Sequence, residues 1–434
     1  MTRNRLILST LISVLTLLPL SGQDARVLIG EDITRSAAQL HSYEAPSRIR
    51  DTRPPRGYKP FYVSHFGRHG SRYHTSDKFT PTLQAFARMD SLGILTDTGA
   101  RVYRLVDTLA AIHADRYGEL TGVGAQEHRG IALRLRRRVP RVFRGRDREV
   151  FAVASTVPRC QESMAAFCEA LQERSPRLEF TLVSNEATDD TITRVMHGGR
   201  NPIYPPEDRG LELVDSVKRL RLPALVFGAR LFTNPEAAMA CMPDGAWHRF
   251  MYNLVSHGEI VQCLDEDVPE IYPYFTLDEL CDFCAARTAA CINAHGFTCE
   301  NGEVLRRVGK LIVRDILDKA DLALADGSHR AADLRFSHDG GVIPLMQYLR
   351  LEGSDTTWHV GQEWENGWYG FSRIPMAANI QFIFYRNRRS DVLVKILHNE
   401  RETLISGLEP WKGPYYKWSV LKPYLETLAN ADCD

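Results

Sequence analysis

The chain has 434 residues, of which 44% are hydrophobic and 25% are charged, the ordinary composition of a globular protein. Lysine plus arginine and aspartate plus glutamate both number 54, so no overall charge favours binding to nucleic acid or to an acidic membrane surface. Any preference for an anionic ligand must therefore come from a local site. The length exceeds the size at which one hydrophobic core stops growing, so more than one structural unit is expected.

The N-terminal 22 residues have the pattern of an export signal. Arg3 and Arg5 precede an apolar run over residues 6–20, which is too short for a membrane span, and Ser21 and Gly22 follow it. Residues 1–22 are therefore expected to be a signal peptide, and the mature protein is expected to be periplasmic or secreted. No later stretch is long and apolar enough to cross a bilayer, so we expect no integral membrane span.

The chain contains nine cysteines, an odd number, so at least one thiol is unpaired unless it bonds another chain. Cys160 and Cys168 lie in a helical pattern that separates them by about 12 Å, too far for a disulfide. We interpret these two as small buried hydrophobic residues. Four further cysteines are close in sequence and are compatible with disulfides or with a zinc site; they are Cys281, Cys284, Cys291 and Cys299.

Short apolar runs alternate with amphipathic segments in both halves of the chain. The predicted strands cover residues 61–66, 150–155, 178–184, 334–337, 380–385 and 392–397. The predicted helices lie around residues 80–92, 102–115, 124–138 and 160–173. This alternation predicts an α/β fold with a mainly parallel sheet flanked by helices. Ligands of such folds bind beyond the carboxyl ends of the strands.

The middle of the chain has a different character. Turn-forming residues dominate the beginning of segment 186–328, and a largely helical pattern follows from residue 211 to residue 325. We therefore predict an inserted helical cap domain over residues 186–328. Residues 23–185 and 329–434 are predicted to form the α/β core.

Three polar motifs directly follow predicted strands and could open onto one crevice: "GRHGSR", "STVPR" and "SHDGG". In the first motif Arg68 and Arg72 flank His69, and Gly70 lets the backbone approach a ligand closely. Arginine binds two oxygens of a phosphoryl group at once and stays charged. A neutral imidazole between such donors could attack phosphorus and form a phosphohistidine.

A poor leaving group such as a sugar or inositol alkoxide also requires a proton donor. Asp339 could supply the proton, and His338 could bond a phosphate oxygen. An aspartate at this position could instead cap the following helix. Arg159, in the second motif, could bind phosphate, and its alternative role is an ion pair with Glu162.

Three other residues near the first motif have two possible roles. Tyr73, His74 and Lys78 could line a substrate pocket or could belong to an exposed loop. His65 is expected to be a packed, hydrogen-bonded core histidine.

Arginines 68 and 72 would repel a cation, and carboxylates that could support metal ligands are missing nearby, so no metal is predicted. The basic stretch at residues 134–149 fits a solvated helix face better than a nucleic-acid site.

"RHGSR" followed far downstream by "HD" resembles the histidine phosphatase superfamily, in its acid phosphatase branch. The segment "GELTGVGAQEHRG" and the segment "VASTVPRCQESMAAFCEAL", which contains Arg159, extend the resemblance. Details of the second segment and the closing "PMAANIQFIFYRN" are most similar to multiple inositol-polyphosphate phosphatases and histidine acid phytases. The match covers about residues 58–185 and 331–405. Segment 186–328 adds nothing to it.

The resemblance implies a phosphoglycerate-mutase-like core and hydrolysis of phosphomonoesters without a cofactor. It implies that His69 is the nucleophile and Asp339 the proton donor, and that substrates are small inositol polyphosphates. The phosphate-binding residues that it implies are Arg68, Arg72, Arg159 and His338. Two departures stand out, since His74 replaces the proline of R-H-G-x-R-x-P, and H-D-G replaces the H-A-E of many inositol-polyphosphate phosphatases.

Two alternatives remain open at this stage. The same machinery would serve a broad-specificity acid phosphatase or a sugar phosphatase. A protein of a different class, an exported binding protein that captures phosphorylated ligands without turnover, would also need the cationic motif.

Overall fold

The computed structural model describes residues 25–49, 51–145, 148–184, 211–221, 224–242 and 246–431. The predicted signal peptide and residues 186–210 of the predicted cap lie outside these ranges. Within the described ranges, no helix combines the length and apolar character that crossing a membrane requires.

Eight strands of the described chain form one central sheet in the order β3-β2-β4-β1-β5-β6-β7, with β8 paired to β6. Their bounds are Lys59–Arg68 (β1), Arg148–Ala154 (β2), Leu178–Val183 (β3), Arg330–Ser337 (β4), Asn379–Arg386 (β5), Val392–His398 (β6), Arg401–Thr403 (β7) and Tyr415–Lys417 (β8). All six predicted strands are present. Strands β1 to β4 pair in parallel, as predicted, and the β5–β8 half is antiparallel. Short connections such as the one between β5 and β6 allow only antiparallel pairing, whereas parallel strands require crossovers.

Helices cover both faces of the sheet. Those before β4 are Ala25–Glu31 (α1), Phe79–Ser91 (α2), Asp97–His113 (α3), Gly122–Arg138 (α4), Pro158–Arg174 (α5), Leu211–Arg221 (α6), Ala224–Leu231 (α7), Pro235–Ala240 (α8), Ala246–Glu259 (α9), Leu277–His295 (α10) and Gly302–Leu324 (α11). Those after β4 are Asp339–Tyr348 (α12), Gly370–Arg373 (α13) and Trp418–Asn430 (α14). The four helices predicted in the core correspond to α2–α5, which confirms the α/β fold class.

Side-chain caps set several helix starts. Thr96 and Thr121 accept hydrogen bonds from the backbone N–H groups three residues later, which satisfies an otherwise unpaired donor in the first turn. Thr276 and Glu279 form a reciprocal capping box at the start of α10. The start of α4 matters for function because it lies against the "RHGSR" loop.

The hydrophobic core is divided among three main clusters. One joins α11, α12 and α14 to one face of the sheet, and a second joins α4 and α5 to the other face. A third cluster joins α2 and α3 to α7 and α9. The helical layer is therefore built from two chain segments, because residues 79–113 pack with helices of the predicted cap. The domain boundaries at residues 186 and 328 remain a prediction.

Candidate active site

Three neighbouring parallel strands, β2, β4 and β1, end at the same edge of the sheet. In the register between β1 and β4, Arg68 lies opposite Ser337. The backbone N–H of His69 donates to the Ser337 carbonyl (2.8 Å), and the N–H of Ser155 donates to the Phe336 carbonyl (3.0 Å). The ladders thus bring the three motifs to one edge, where ligands of α/β folds bind.

The loop after β1 is held closely against the start of α4. A Cβ atom at Gly70 would collide with the carbonyl of Gly124, so the close approach requires glycine. The buried carboxylate of Glu127 accepts hydrogen bonds from the backbone N–H and the hydroxyl of Ser71, each at 2.7 Å, and from the N–H of Tyr43 at 2.7 Å. The hydroxyl of Ser163, on α5, accepts from the N–H of Gly70 (3.1 Å). These contacts fix the backbone that presents His69.

His69 is buried and has a defined tautomer. Its Nδ1 lies 2.9 Å from the carbonyl oxygen of Gly70, and a carbonyl only accepts, so Nδ1 carries the ring proton. Burial, reinforced by the positive charges of Arg159 and Arg68, holds the pKa of His69 well below 6.5. The imidazole is therefore neutral, and Nε2 keeps the lone pair that a nucleophile needs.

Arg68 is fully buried and held on two sides. Its Nη1 donates to the carbonyl oxygens of Gln39 (2.6 Å) and Ile374 (2.7 Å). Its Nη2 lies 3.2 Å from Oδ2 of Asp339. The backbone bonds leave the guanidinium little freedom, so its charge is preorganised at the edge of the sheet.

Arg72 and Arg159 add two further positive charges. Arg72 donates through Nη1 to the Tyr73 carbonyl (2.9 Å), and burial followed by repulsion from Arg159 and Arg68 lowers its pKa to about 9. The Nε atoms of Arg68 and Arg72 are buried and have no hydrogen-bond partner within the described residues. Like charges that lie close together and have spare donors favour an anion as ligand, since a bound anion would satisfy the donors and relieve the repulsion.

His338 links the second and third motifs. Its Nε2 lies 3.1 Å from the hydroxyl of Ser155, and its Nδ1 lies 3.4 Å from Nη2 of Arg159. The ring centroid is 5.4 Å from that of His69. Burial, followed by the charge of Arg159, lowers the pKa of His338 to about 3, so this ring is also neutral.

Asp339 is the first residue of α12, and His338 occupies the N-cap position. The Asp339 side chain accepts from the N–H of Gly340 (3.1 Å) and faces Arg68. Burial alone raises the pKa of Asp339, but Arg68 and weaker positive neighbours outweigh it and hold the pKa below 3.8. Without a ligand this carboxyl is therefore ionised.

Two of the three expected pocket residues belong to the helical core. Tyr73 is fully buried, and its hydroxyl donates to Glu266 (3.1 Å). His74 is 3% exposed, and its ring packs against Phe79, His113 and His257. The turn after Arg72 directs both rings toward the third hydrophobic cluster, so neither lies in an exposed loop, and that Tyr73 and His74 line the pocket stays a prediction.

Lys78 lies at the start of α2 and is half-buried. Burial, followed by repulsion from Arg287 and Arg72, lowers its pKa to about 8. Repulsion from Arg72 indicates that Lys78 extends the positive region around the "RHGSR" loop. Its place in the pocket therefore remains a proposal.

Two further expectations concern His65 and the cysteines. His65 is packed in the core against Phe167 and Phe336, as expected, but neither ring nitrogen has a hydrogen-bond partner among the described residues. Among the described cysteines, Cys160 and Cys168 are buried, as expected, and neither forms a disulfide. Within the same ranges, no group of three or more histidine, cysteine, aspartate or glutamate side chains could hold a metal.

The sequence did not identify three residues that contact the site. Glu127 and Ser163 lie within the segments that carry the resemblance, but nothing in their pattern shows that they bond the "RHGSR" loop. His295, at the end of α10, faces Asp339 with Nε2 3.7 Å from Oδ1. No sequence motif surrounds His295. It lies beside Asp339 because α10 and α12, which are distant in sequence, pack together.

No family model matches the chain, and no curated protein matches it. Several solved structures do. The multiple inositol polyphosphate phosphatase of Bifidobacterium longum in complex with phosphate superposes with a TM-score of 0.76, 20% identity, and coverage of 91% of this chain and 98% of that chain. The phytase from D. castellii has a TM-score of 0.66, 14% identity, and coverage of 92% and 85%.

The phytase from Citrobacter braakii has a TM-score of 0.52, 14% identity, and coverage of 86% and 99%. The B. longum enzyme has also been solved in complex with inositol hexasulfate. Identities this low establish similarity of fold alone. The chain therefore has the phosphatase fold shared by these inositol polyphosphate phosphatase and phytase structures, as its resemblance to the acid phosphatase branch of the histidine phosphatases predicted.

Proposed function

We propose that the protein is a phosphomonoesterase that acts through a phosphohistidine on His69. One observation carries the proposal. A neutral imidazole, whose proton is fixed on Nδ1, lies among guanidinium groups that lack enough negative charge to balance them. A phosphoryl group supplies both the missing anion and the electrophile.

In the first step, Nε2 of His69 forms a bond to phosphorus while the ester P–O bond breaks. The electron pair of that bond passes to the leaving oxygen, which takes a proton from the carboxyl of Asp339. In the second step, water attacks phosphorus, Asp339 takes a proton from that water, and the N–P bond breaks. The donors that hold the phosphoryl oxygens through both steps are Arg68, Arg72, Arg159 and His338.

Asp339 must be protonated to act as an acid, although Arg68 keeps it ionised in the free protein. The phosphoryl group and Asp339 compete for Nη2 of Arg68. Once phosphate oxygens bind this nitrogen, the carboxylate loses its main counter-charge and gains a negative neighbour. Both changes raise the pKa of Asp339 and favour uptake of a proton at the moment when the proton is needed.

We further propose that the substrates are small inositol polyphosphates. Beyond the arginines of the site, Lys78 adds a positive charge, and its pKa is lowered by burial and by the charges of Arg287 and Arg72. Such an additional cation favours a ligand with more than one phosphate. The names of the structural neighbours support the same class of substrate.

Phosphate release from phytate, glucose 1-phosphate and 4-nitrophenyl phosphate, measured with and without EDTA, tests the proposal. We expect release from phytate, with no loss of activity in EDTA, since no cofactor is proposed. Preference for glucose 1-phosphate would favour a sugar phosphatase, and equal activity on all three a broad acid phosphatase. Binding without release would support a phospholigand-binding protein.

We also propose that the protein is exported and that residues 1–22 are removed. N-terminal sequencing of the mature protein from the periplasm or medium should begin near residue 23. An intact N-terminus on the active protein would contradict this proposal.

A further inference from the structure

The two carboxyl oxygens of Asp339 face different partners. Oδ2 lies 3.2 Å from Nη2 of Arg68, and Oδ1 lies 3.7 Å from Nε2 of His295. Arg68 always keeps its proton, whereas an imidazole can give one up. Asp339 therefore lies between a permanent cation and a group that can transfer a proton.

The position of His295 is fixed by the chain that follows it. A Cβ atom at Gly296 would collide with Ile292, so the sharp exit from α10 requires glycine. Gln347, on α12, accepts a hydrogen bond from the N–H of Phe297 (2.6 Å) and donates to the Phe297 carbonyl (3.4 Å). Because α12 also carries Asp339, these bonds tie the end of α10 to the helix that bears the carboxyl.

The surroundings of His295 leave Asp339 as its principal polar neighbour. The Nδ1 atom is buried and has no hydrogen-bond partner among the described residues. The side chain is 26% exposed and that of Asp339 is 20% exposed, whereas that of Arg68 is 1% exposed. The other charged or titratable groups that interact electrostatically with Asp339 include Arg72, His338, Cys160 and Cys291.

We propose that His295 and Asp339 form a proton-transfer pair, in which His295 supplies the proton that Asp339 donates to the leaving oxygen. The inference rests on the proposed function. In the proposed resting state both ring nitrogens of His295 carry a proton, and Asp339 is ionised beside Arg68. Substrate binding engages Arg68, the Nε2–H bond breaks with its electron pair left on the nitrogen, and the proton moves to Oδ1 of Asp339, so that His295 becomes a neutral imidazole and Asp339 a neutral carboxylic acid.

The proton is conserved over the whole cycle. Asp339 passes it to the leaving oxygen in the first step. In the second step Asp339 takes a proton from the attacking water, and release of phosphate restores the Arg68 contact and returns the proton to His295. The overall reaction consumes one ester and one water, and yields one alcohol and one phosphate. His295 acts only through Asp339: it holds the proton and passes it to that carboxyl. It is therefore a positioning residue.

A comparison of leaving groups tests the pair. At pH 7, His295→Gln should lower kcat on phytate at least about tenfold, whereas kcat on 4-nitrophenyl phosphate, whose leaving group scarcely needs a proton, should change by less than about twofold. The loss on phytate should shrink toward pH 4.5, because bulk acid then protonates Asp339. Added imidazole should partly restore phytate turnover by His295→Ala.

His359→Gln is the matched control, since His359 pairs with Glu300 at 2.8 Å on an exposed surface and should leave both activities unchanged. Equal losses on the two substrates in His295→Gln, or an unchanged phytate rate, would overturn the inference. The proposed function fails separately if His69→Ala retains turnover. An inactive His69→Ala combined with equal losses in His295→Gln would refute only the proton-transfer pair.

Discussion

Four of the buried histidines in the described part of the chain form two pairs with contrasting surroundings. His69 and His338 lie at the sheet edge, next to arginines, and each has a polar partner. His65 and His128 lie behind them, and both rings pack against Phe336. Burial lowers the pKa of every member, to about 3 for His65, His128 and His338.

Burial therefore makes all four rings neutral but does not by itself make a catalytic site. The edge pair differs from the core pair in two ways. Its hydrogen-bond partners fix which ring nitrogen carries the proton, and the cations beside it can bind an anion. The core pair contributes packing. It also lowers the stability of the folded protein at low pH, because each ring resists protonation while the protein is folded. Substitutions in either pair, or in the charged neighbours of the edge pair, should separate the two roles.

The largest effect is expected for His69→Asn, which should lower kcat on every phosphomonoester by more than about 10⁴-fold, since no phosphoenzyme can form. Stopped assays of phosphate release measure the change. The thermal unfolding midpoint should stay near that of the wild type and serves as the folding control. Residual turnover within tenfold of wild type would place the nucleophile elsewhere.

Asp339→Asn should lower kcat/KM on phytate by about 10²- to 10⁴-fold, because kcat/KM reports the step in which the ester bond breaks and an amide cannot protonate an alkoxide. The loss of kcat/KM on 4-nitrophenyl phosphate should be much smaller, since nitrophenolate leaves without protonation; kcat on both substrates falls as well, because the base for the attacking water is lost. Parallel kinetics on the two substrates provide the measurement. Equal losses would mean that Asp339 mainly holds Arg68 in place.

Arg72→Lys should lower kcat by about 10²-fold, a typical cost of removing one preorganised donor from a transition state. Lysine keeps the charge but loses the planar fork that bonds two oxygens. Arg129→Lys, at an exposed ion pair with Glu173, is the matched control and should keep full activity. A wild-type rate in Arg72→Lys would remove Arg72 from the phosphate site.

The smallest effect on activity is expected for His65→Leu, which should turn over phytate at nearly the wild-type rate. Its effect should appear in acid stability. The folded-state pKa of His65 is about 3, against 6.5 for an ordinary histidine, so the unfolded chain binds more protons between these values and stability falls as the pH falls.

The expected slope is about 1.4 kcal/mol per pH unit for the one proton involved, within the window from pH 6 to pH 3.5. Urea unfolding at several pH values should show a shallower slope for His65→Leu than for the wild type. Identical slopes would show that His65 is not responsible for any loss of stability in acid.

Local patterns were enough to predict six of the eight described strands, helices α2–α5 and the residues of the three motifs. Strand periodicity and the apolar runs are properties of neighbouring residues, and parallel pairing brings strand ends together without further information. The side-chain directions of Tyr73 and His74 could not be predicted. They depend on packing against α3 and α9, which come from distant parts of the chain.

The same reason explains why the sequence did not reveal Glu127 and His295. A buried glutamate within an amphipathic helix and a histidine at a helix end are common in proteins, and only tertiary contacts distinguish these two. The antiparallel half of the sheet is a related case, since an apolar run does not specify the direction of its partner.

The account depends on a covalent bond between phosphorus and His69. Rapid acid-free quenching of the protein with ³²P-labelled substrate, followed by alkaline peptide mapping, tests this bond directly. We expect label on the peptide that contains His69, with the acid lability and alkali stability of a phosphoramidate, and no label in His69→Asn. Steady turnover with no labelled histidine, or with label on a different residue, would contradict the account.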